Sequence, residues 1–149
     1  MLIRPAAESR HLPEVAAWLH AEWWQGEALQ ATEAYLRAAA GPAAPCALVA
    51  EAGGRPLGTA SLEVEDLPGR PDLSPWLASV LVTPEHRRRG VATALVQEVL
   101  RRARLLGHRQ IWLFTADQAP FYAARGWAPA GAETWRGRAV TLMRHDLAP

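Results

Sequence analysis

Val80-Leu81-Val82-Thr83-Pro84-Glu85-His86-Arg87-Arg88-Arg89-Gly90-Val91-Ala92-Thr93-Ala94-Leu95 passes from an apolar run through a basic turn into a helical pattern. Upstream, Trp76, Ala78, Val80 and Val82 alternate with Leu77, Ser79, Leu81 and Thr83, which predicts a strand buried on at least one side; Pro84 stops it. Downstream, Ala92, Leu95, Val96, Val99, Ala103 and Leu106 fall on one face of a 3.6-residue period, with Gln97, Glu98, Arg101, Arg102 and Arg104 opposite. Glu98 precedes Arg102 by one turn, a favourable pair, and Gly107 ends the helix. A strand–turn–helix of this kind aims several backbone N–H groups at one anion. The first four N–H groups of a helix lack an intrahelical acceptor, and the macrodipole places roughly +0.5 charge there. Phosphate or pyrophosphate is the natural occupant. Gly90 removes a Cβ from the approach and small Ala92 keeps the next position open. The stretch reads as a cradle for a phosphorylated ligand.

The rest of the chain bounds what such a cradle can serve. At 149 residues, half of them apolar and 21% charged, the sequence predicts one domain, residues 1–149, with a packed core. The net charge of +1 gives no general attraction to nucleic acid or to a membrane surface, and neither is expected as a partner. All sixteen basic residues are Arg, which excludes a lysine Schiff base and a Walker-type lysine. Lone Cys46 excludes an internal disulfide and suits a reducing, cytoplasmic setting. His20, His86 and His108 share no ligand spacing with Asp, Glu or Cys, so no metal site is expected. No apolar run reaches the ~18 residues of a span, and Arg4, Glu8 and Arg10 interrupt any leader pattern.

Reading along the chain, Leu2–Pro5 is a short strand. Ser9 and Pro13 introduce a helix to about Trp23, with Leu12, Val15, Leu19 and Trp23 inward. A second helix runs from about Thr32 to Ala40. Cys46–Glu51 and Pro56–Glu65 form a hairpin about Gly53-Gly54. In its second strand Ala60, Leu62 and Val64 face one way and Thr59, Ser61, Glu63 and Glu65 the other, as a polar face. Asp66–Pro75 is a loop. After the Gly90 helix come a buried strand Ile111–Phe114, a short helix Ala119–Arg125 ending at Gly126, and strands near Trp127–Trp135 and Arg138–Arg144. The expected class is α/β in the broad sense: a mixed, largely antiparallel sheet flanked by helices.

This order resembles the GCN5-related N-acetyltransferase (GNAT) superfamily. Its acyl-CoA motif, Arg/Gln-x-x-Gly-x-Gly/Ala, is matched by Arg87, Arg88, Arg89, Gly90, Val91 and Ala92. Its aromatic-Tyr pair followed by Gly-aromatic is matched by Phe121-Tyr122-Ala123-Ala124-Arg125-Gly126-Trp127. The two motifs stand in order, separated by a helix and a strand, and the resemblance covers nearly the whole chain. Seven residues before Tyr122, where many members carry Asn, this chain has Thr115.

The resemblance implies the acyl-CoA N-acyltransferase fold and an enzyme that moves acetyl from acetyl-CoA, without a metal, directly to a primary amine in a ternary complex. The acceptor would be a small-molecule or peptide amine: an antibiotic, a polyamine, an amino acid, a peptide N-terminus or a protein lysine. N–H groups of residues 88–93, including Thr93, would hold the pyrophosphate, with Phe121 also beside the cofactor. The pantetheine arm would run along the fourth strand near Leu81 and Val82, where an N–H would also favour the oxyanion. Tyr122 would protonate the leaving thiolate, a phenol of pKa ~10 serving a thiol of ~8.5. For the general base Glu63 is favoured over Glu65 and Asp117. Trp23, Trp24 and Glu65 would line the acceptor site, and Glu63, Glu65, Asp66 and Asp72 would form a cation-attracting rim if the acceptor were a polyamine. Homodimers are common in the family. The competing reading is a module of this fold that binds acyl-CoA without turnover; Tyr122 speaks against it, since mere binding has no need of a phenol.

Overall fold

Two glycines start the sheet. Gly53 and Gly54 both take positive φ (59° and 76°), the geometry of a tight hairpin whose twist matches its strands. They join β2 (Cys46–Ala52) to β3 (Arg55–Glu63). The computed structural model describes residues 1–148. Its remaining strands are β1 (Leu2–Pro5), β4 (Trp76–Val82), β5 (Gln110–Thr115), β6 (Ala128–Trp135) and β7 (Arg138–Asp146). The helices are α1 (Leu12–Trp23), α2 (Leu29–Ala38), α3 (Val91–Leu105) and α4 (Ala119–Ala123). The seven strands form one sheet in the order β1-β2-β3-β4-β5-β7-β6, antiparallel except where β4 meets β5. This is the mixed, largely antiparallel architecture expected from the sequence.

Each face of the sheet has its own core. On one side α3 lays Val91, Leu95, Val96, Val99 and Ala103 against Leu48, Ala60, Leu62 and Leu77. On the other, α1 and α2 bury Leu12, Val15, Leu19 and Leu36 against Ala47 and Val49. Being covered on both sides, β3 departs from the alternation read in its sequence. Thr59 and Ser61, expected on a polar face, are only 1% and 2% exposed. They tolerate burial because each hydroxyl donates to a strand carbonyl, Thr59 to Leu48 at 2.7 Å and Ser61 to Ala78 at 3.2 Å. The strand ends at Glu63, so Val64 is exposed and Glu65 belongs to the following loop. Helix α2 begins three residues before the expected Thr32, and Leu106, expected inward, is 38% exposed past the end of α3. Glu98 pairs with Arg102 at 3.1 Å as expected, and also with Arg101.

Two departures from regular pairing position the site. Between β3 and β4 the register passes from Thr59↔Leu81 to Ser61↔Ala78, so β4 carries one extra residue. Ser79 absorbs it with φ of 57°, a left-handed conformation unusual for a side-chain-bearing residue. Between β4 and β5 the pairing is a single register, Trp76↔Trp112, closed by Trp112 N–H to Pro75 O at 3.0 Å. Beyond that point the two parallel strands part company.

Candidate active site

The cradle lies where β4 gives way to α3. Pro84–His86 form one turn of 3-10 helix, Arg88 and Gly90 take φ of 62° and 80°, and Gly90 is the N-cap of α3. A side chain at Gly90 meets no atom within 4 Å, so space is open there and only the backbone angle favours glycine. The first helical hydrogen bond is Ala94 N–H to Gly90 O at 3.0 Å. Among the described residues no acceptor faces the N–H groups of Arg88 to Thr93. Unsatisfied donors at the head of a 15-residue helix make an anion site. Arg87, read as an anion contact, donates its Nε to Val82 O at 3.2 Å and ties the turn back to β4. Arg88 and Arg89 are exposed beside it.

The edge of β4 beyond the splay continues the site. Thr83 N–H donates to Leu57 O at 3.1 Å, so the preceding N–H, that of Val82, points to the opposite edge, away from β3. Val80 and Val82 pack with Phe121 and Ala119 against the cluster that holds Tyr122. Tyr122 is 7% exposed, stacked edge-on to Phe121 at 5.0 Å and Trp127 at 5.9 Å. No described residue hydrogen-bonds its hydroxyl. Burial pushes its pKa up to about 12, while the charge of Arg125 pulls the other way. Sequence reading missed Arg125. Its guanidinium lies 3.7 Å over the Phe121 ring, donates to Phe121 O at 2.8 Å, and reaches Thr93 Oγ1 at 3.0 Å. It therefore clips α4 to the N-terminus of α3. Thr115, the departure from the family's Asn, accepts Gln118 N–H at 2.9 Å at the entry to α4.

On the far side of β4 is a cavity of about 270 Å³ lined by Trp24, Glu27, Ala31, Thr32, Tyr35, Glu63, Glu65, Asp66, Ala78 and Ser79. It reaches β4 at the bulge. Tyr35 donates its hydroxyl to Glu63 Oε2 and stands 6.4 Å from the Trp24 ring. Burial, then the neighbouring Glu63 charge, holds the Tyr35 phenol above the ordinary range. Burial also raises Glu63, against the Tyr35 bond, which favours its ionised form. Asp66 is pushed up to about 7, by burial first and by repulsion from Glu63 second.

The structure thus gathers Glu63, Glu65 and Trp24 on one wall system and Arg87–Thr93, Leu81, Val82, Phe121 and Tyr122 around the splay. Trp23 lies outside the cavity lining: its carbonyl accepts from Arg136 in the β6–β7 turn. Asp72, placed by sequence on an acidic rim, is engaged by Arg70 at 3.1 Å, and Arg70 also reaches Glu133 of β6 at 2.7 Å. Asp117 is exposed and off the cavity. Thr32, Tyr35, Glu27 and Ser79 were not singled out from sequence. The one local signal was the three-residue spacing of Thr32 and Tyr35, which puts them on one helix face. Among the described residues no group of His, Cys, Asp and Glu forms a metal site, and no helix is long and apolar enough to cross a membrane.

A family model described as "Acetyltransferase (GNAT) family" matches residues 12–127. No curated protein sequence matches the chain. Among solved structures, an aminoglycoside 6'-N-acetyltransferase complexed with coenzyme A is similar at TM-score 0.77 and 14% identity, over 100% of this chain and 98% of that one. A ribosomal-protein-alanine N-acetyltransferase from Brucella melitensis gives 0.76 and 22%, over 99% and 100%. N-acetylglutamate synthase from Neisseria gonorrhoeae, complexed with coenzyme A and N-acetyl-glutamate, gives 0.75 and 19% over 99% of this chain, which spans only 35% of its length. At these identities the likeness is one of fold.

Proposed function

The chain belongs to the GNAT family and is an acetyl-CoA-dependent N-acetyltransferase; we propose that Tyr122 and Glu63 carry its proton transfers and that the cavity behind β4 holds the accepting amine. Acetyl-CoA supplies an activated acetyl group as a thioester and a diphosphate by which it is gripped. The residues present fit it: six free N–H groups at the head of α3, an unpaired β4 edge, and a phenol without a partner. N–H groups of Arg88–Thr93 hold the diphosphate, and Arg88 and Arg89 add positive charge. Val82 presents the β4 edge to the pantetheine arm, pairing with its amides as a strand would, while Leu81, expected beside it, turns its own N–H and C=O toward β3. The backbone near the bulge supplies an N–H to the carbonyl oxygen as charge gathers on it.

Glu63 receives the amine proton, directly or through a water, and the amine nitrogen then bonds to the carbonyl carbon as the carbon–sulfur bond breaks. Tyr122 donates its proton to the departing sulfur and is reprotonated from solvent. A phenol raised to about 12 is protonated throughout the working range, and Arg125 offsets part of the cost of its ionisation. Trp24 and Glu65 border the acceptor, while Trp23 anchors the β6–β7 turn through its carbonyl. Buried, unpaired Cys46 suits a reducing cytoplasm.

The observation that carries this reading is the pairing of unsatisfied helix-head donors with a β4 edge parted from β5. Thiol release from acetyl-CoA, followed with a panel of primary amines, tests it. Turnover with at least one amine, and stabilisation of about 2.7 kcal/mol by acetyl-CoA at 100 times its Kd, are expected. A protein that neither binds acetyl-CoA nor releases thiol with any amine refutes it.

A further inference from the structure

The chain has two tyrosines, and they pack in the cores on opposite faces of the sheet. Tyr122 gives its proton away in the proposed transfer. Tyr35 keeps its own: burial first, then the neighbouring Glu63 charge, holds its phenol above the ordinary range, so it stays protonated at every working pH. A phenol that never ionises is a permanent hydrogen-bond donor, and its hydrogen goes to Glu63 Oε2.

Glu63 depends on such a donor. It is half-buried at the end of β3. The titratable groups around it are Tyr35 from α2, Glu65 and Asp66 from the loop after β3, and Glu27 from the turn after α1. Its charge also reaches the Cys46 thiol of β2, while its register partner on β4 is Trp76, which does not titrate. None of these groups brings positive charge, and no described Arg or His forms an ion pair with Glu63. Burial raises Glu63, and the hydroxyls of Tyr35 and Ser61 oppose that rise, Tyr35 the more. Ser61 has a single hydroxyl hydrogen and donates it to Ala78 O at 3.2 Å, which leaves Tyr35 as the donor that counts.

A base on an acidic, half-buried wall can fail in two ways. If it is already protonated it accepts nothing, and if its carboxylate turns freely it seldom presents an oxygen to the amine. One hydrogen bond answers both. A donor to a carboxylate favours the charged form. Holding Oε2 also leaves Oε1, which has no hydrogen-bond partner among the described residues, to accept. The phenol is itself held in place: its ring packs with the core shared by α1 and α2 and stands 6.4 Å from Trp24.

We propose that Tyr35 is a positioning residue for acetyl transfer: its O–H fixes Oε2 of the Glu63 carboxylate and leaves Oε1 to receive the proton of the accepting amine. In that step an N–H bond breaks, its electron pair stays on nitrogen, and the proton forms an O–H bond at Oε1, while the Tyr35 O–H is kept. This rests on the reading of Glu63 as the base, and the test separates the two. Tyr35→Phe keeps the ring and deletes only the hydroxyl. In intact protein with isotope-labelled glutamate carboxyls, the Glu63 resonance is identified by its loss in Glu63→Gln. It is expected to titrate about one pH unit higher in Tyr35→Phe, and the acid limb of kcat/KM moves with it, an approximately tenfold loss on the acid side. The plateau falls a few-fold in kcat, with KM for acetyl-CoA unchanged. Glu63→Gln lowers kcat strongly, and adding Tyr35→Phe to it costs nothing more. The melting shift produced by acetyl-CoA confirms that each variant is folded. Loss of packing alone lowers the plateau but leaves the limb and the Glu63 titration in place, and that result overturns this inference while leaving the base reading intact. Full turnover in Glu63→Gln overturns the base reading, and with it any use of Tyr35 in transfer, even where the titration has moved.

Discussion

The two sides of β4 are built from different materials. On the donor side the working groups are main-chain: N–H groups freed by a helix start, a glycine at φ 80°, and the unpaired edge of a strand. On the acceptor side they are side chains, four carboxylates and two aromatic rings contributed by the end of α1, the turn that follows it, α2, the end of β3 and the loop after β3. The donor side gathers positive potential from oriented dipoles, and the acceptor side gathers negative charge from ionisable groups. A backbone site changes little with sequence as long as the turn is kept. A side-chain site is remade by single substitutions, so one family scaffold serves many amines.

Tyr122→Phe carries the largest expected effect. Removing the general acid lowers kcat by about 10²–10⁴-fold. Acetyl-CoA affinity by calorimetry stays within about twofold, and equal kcat in the variant takes Tyr122 out of the mechanism. Gly90→Glu strikes the donor side alone. It combines left-handed backbone strain of ~1–2 kcal/mol with a negative charge in the cradle, and acetyl-CoA affinity falls on the order of 100-fold. Amine binding, measured separately, is unaffected if the two sides are as independent as their construction implies.

The third test uses pH. Asp66, at about 7 when folded against 3.8 when free, binds its proton more tightly in the native state. Its contribution is therefore complete below about pH 4 and is lost as pH rises through 7. The unfolding free energy measured with denaturant falls over that window with a slope of at most ~1.4 kcal/mol per pH unit, moderated by partial exposure of the group. Raised Glu63 acts in the same direction. Asp66→Asn flattens the profile, whereas an unchanged profile shows that the acidity of this wall lies elsewhere. The smallest effect is that of Arg125→Ala, where loss of an exposed clip between α4 and α3 raises KM for acetyl-CoA about three- to fivefold. A change confined to kcat points to Tyr122 ionisation as the main business of Arg125.

The same difference in materials explains what could be read from sequence. Pro84, Gly90 and the period of α3 are neighbours in the chain, so the turn and its anion affinity were legible. The Phe121–Trp127 motif was local as well. The cavity was not, because Tyr35 and Glu63 are 28 residues apart and meet only through the stacking of α2 on β3. Glu63, Glu65 and Trp24 were reached one at a time through the family resemblance, without the geometry that joins them. Thr59 and Ser61 misled because period-2 polarity signals an exposed face only where nothing covers it. Here internal hydroxyl–carbonyl bonds let polar residues lie under α1 and α2. The α2 boundary slipped for a simpler reason: its N-cap is Ala28, which carries no capping side chain.

The single Trp76↔Trp112 register has a mechanical consequence. It makes the sheet two panels, β1 to β4 and β5 to β6, stitched at one end and open like a collar at the other. A guest whose amides are spaced like a polypeptide's can close that seam, and in doing so it becomes part of the fabric. Cofactor loading should then be visible far from the thioester, as slower amide hydrogen exchange along Val80–Val82, with the two halves of the molecule behaving as one piece.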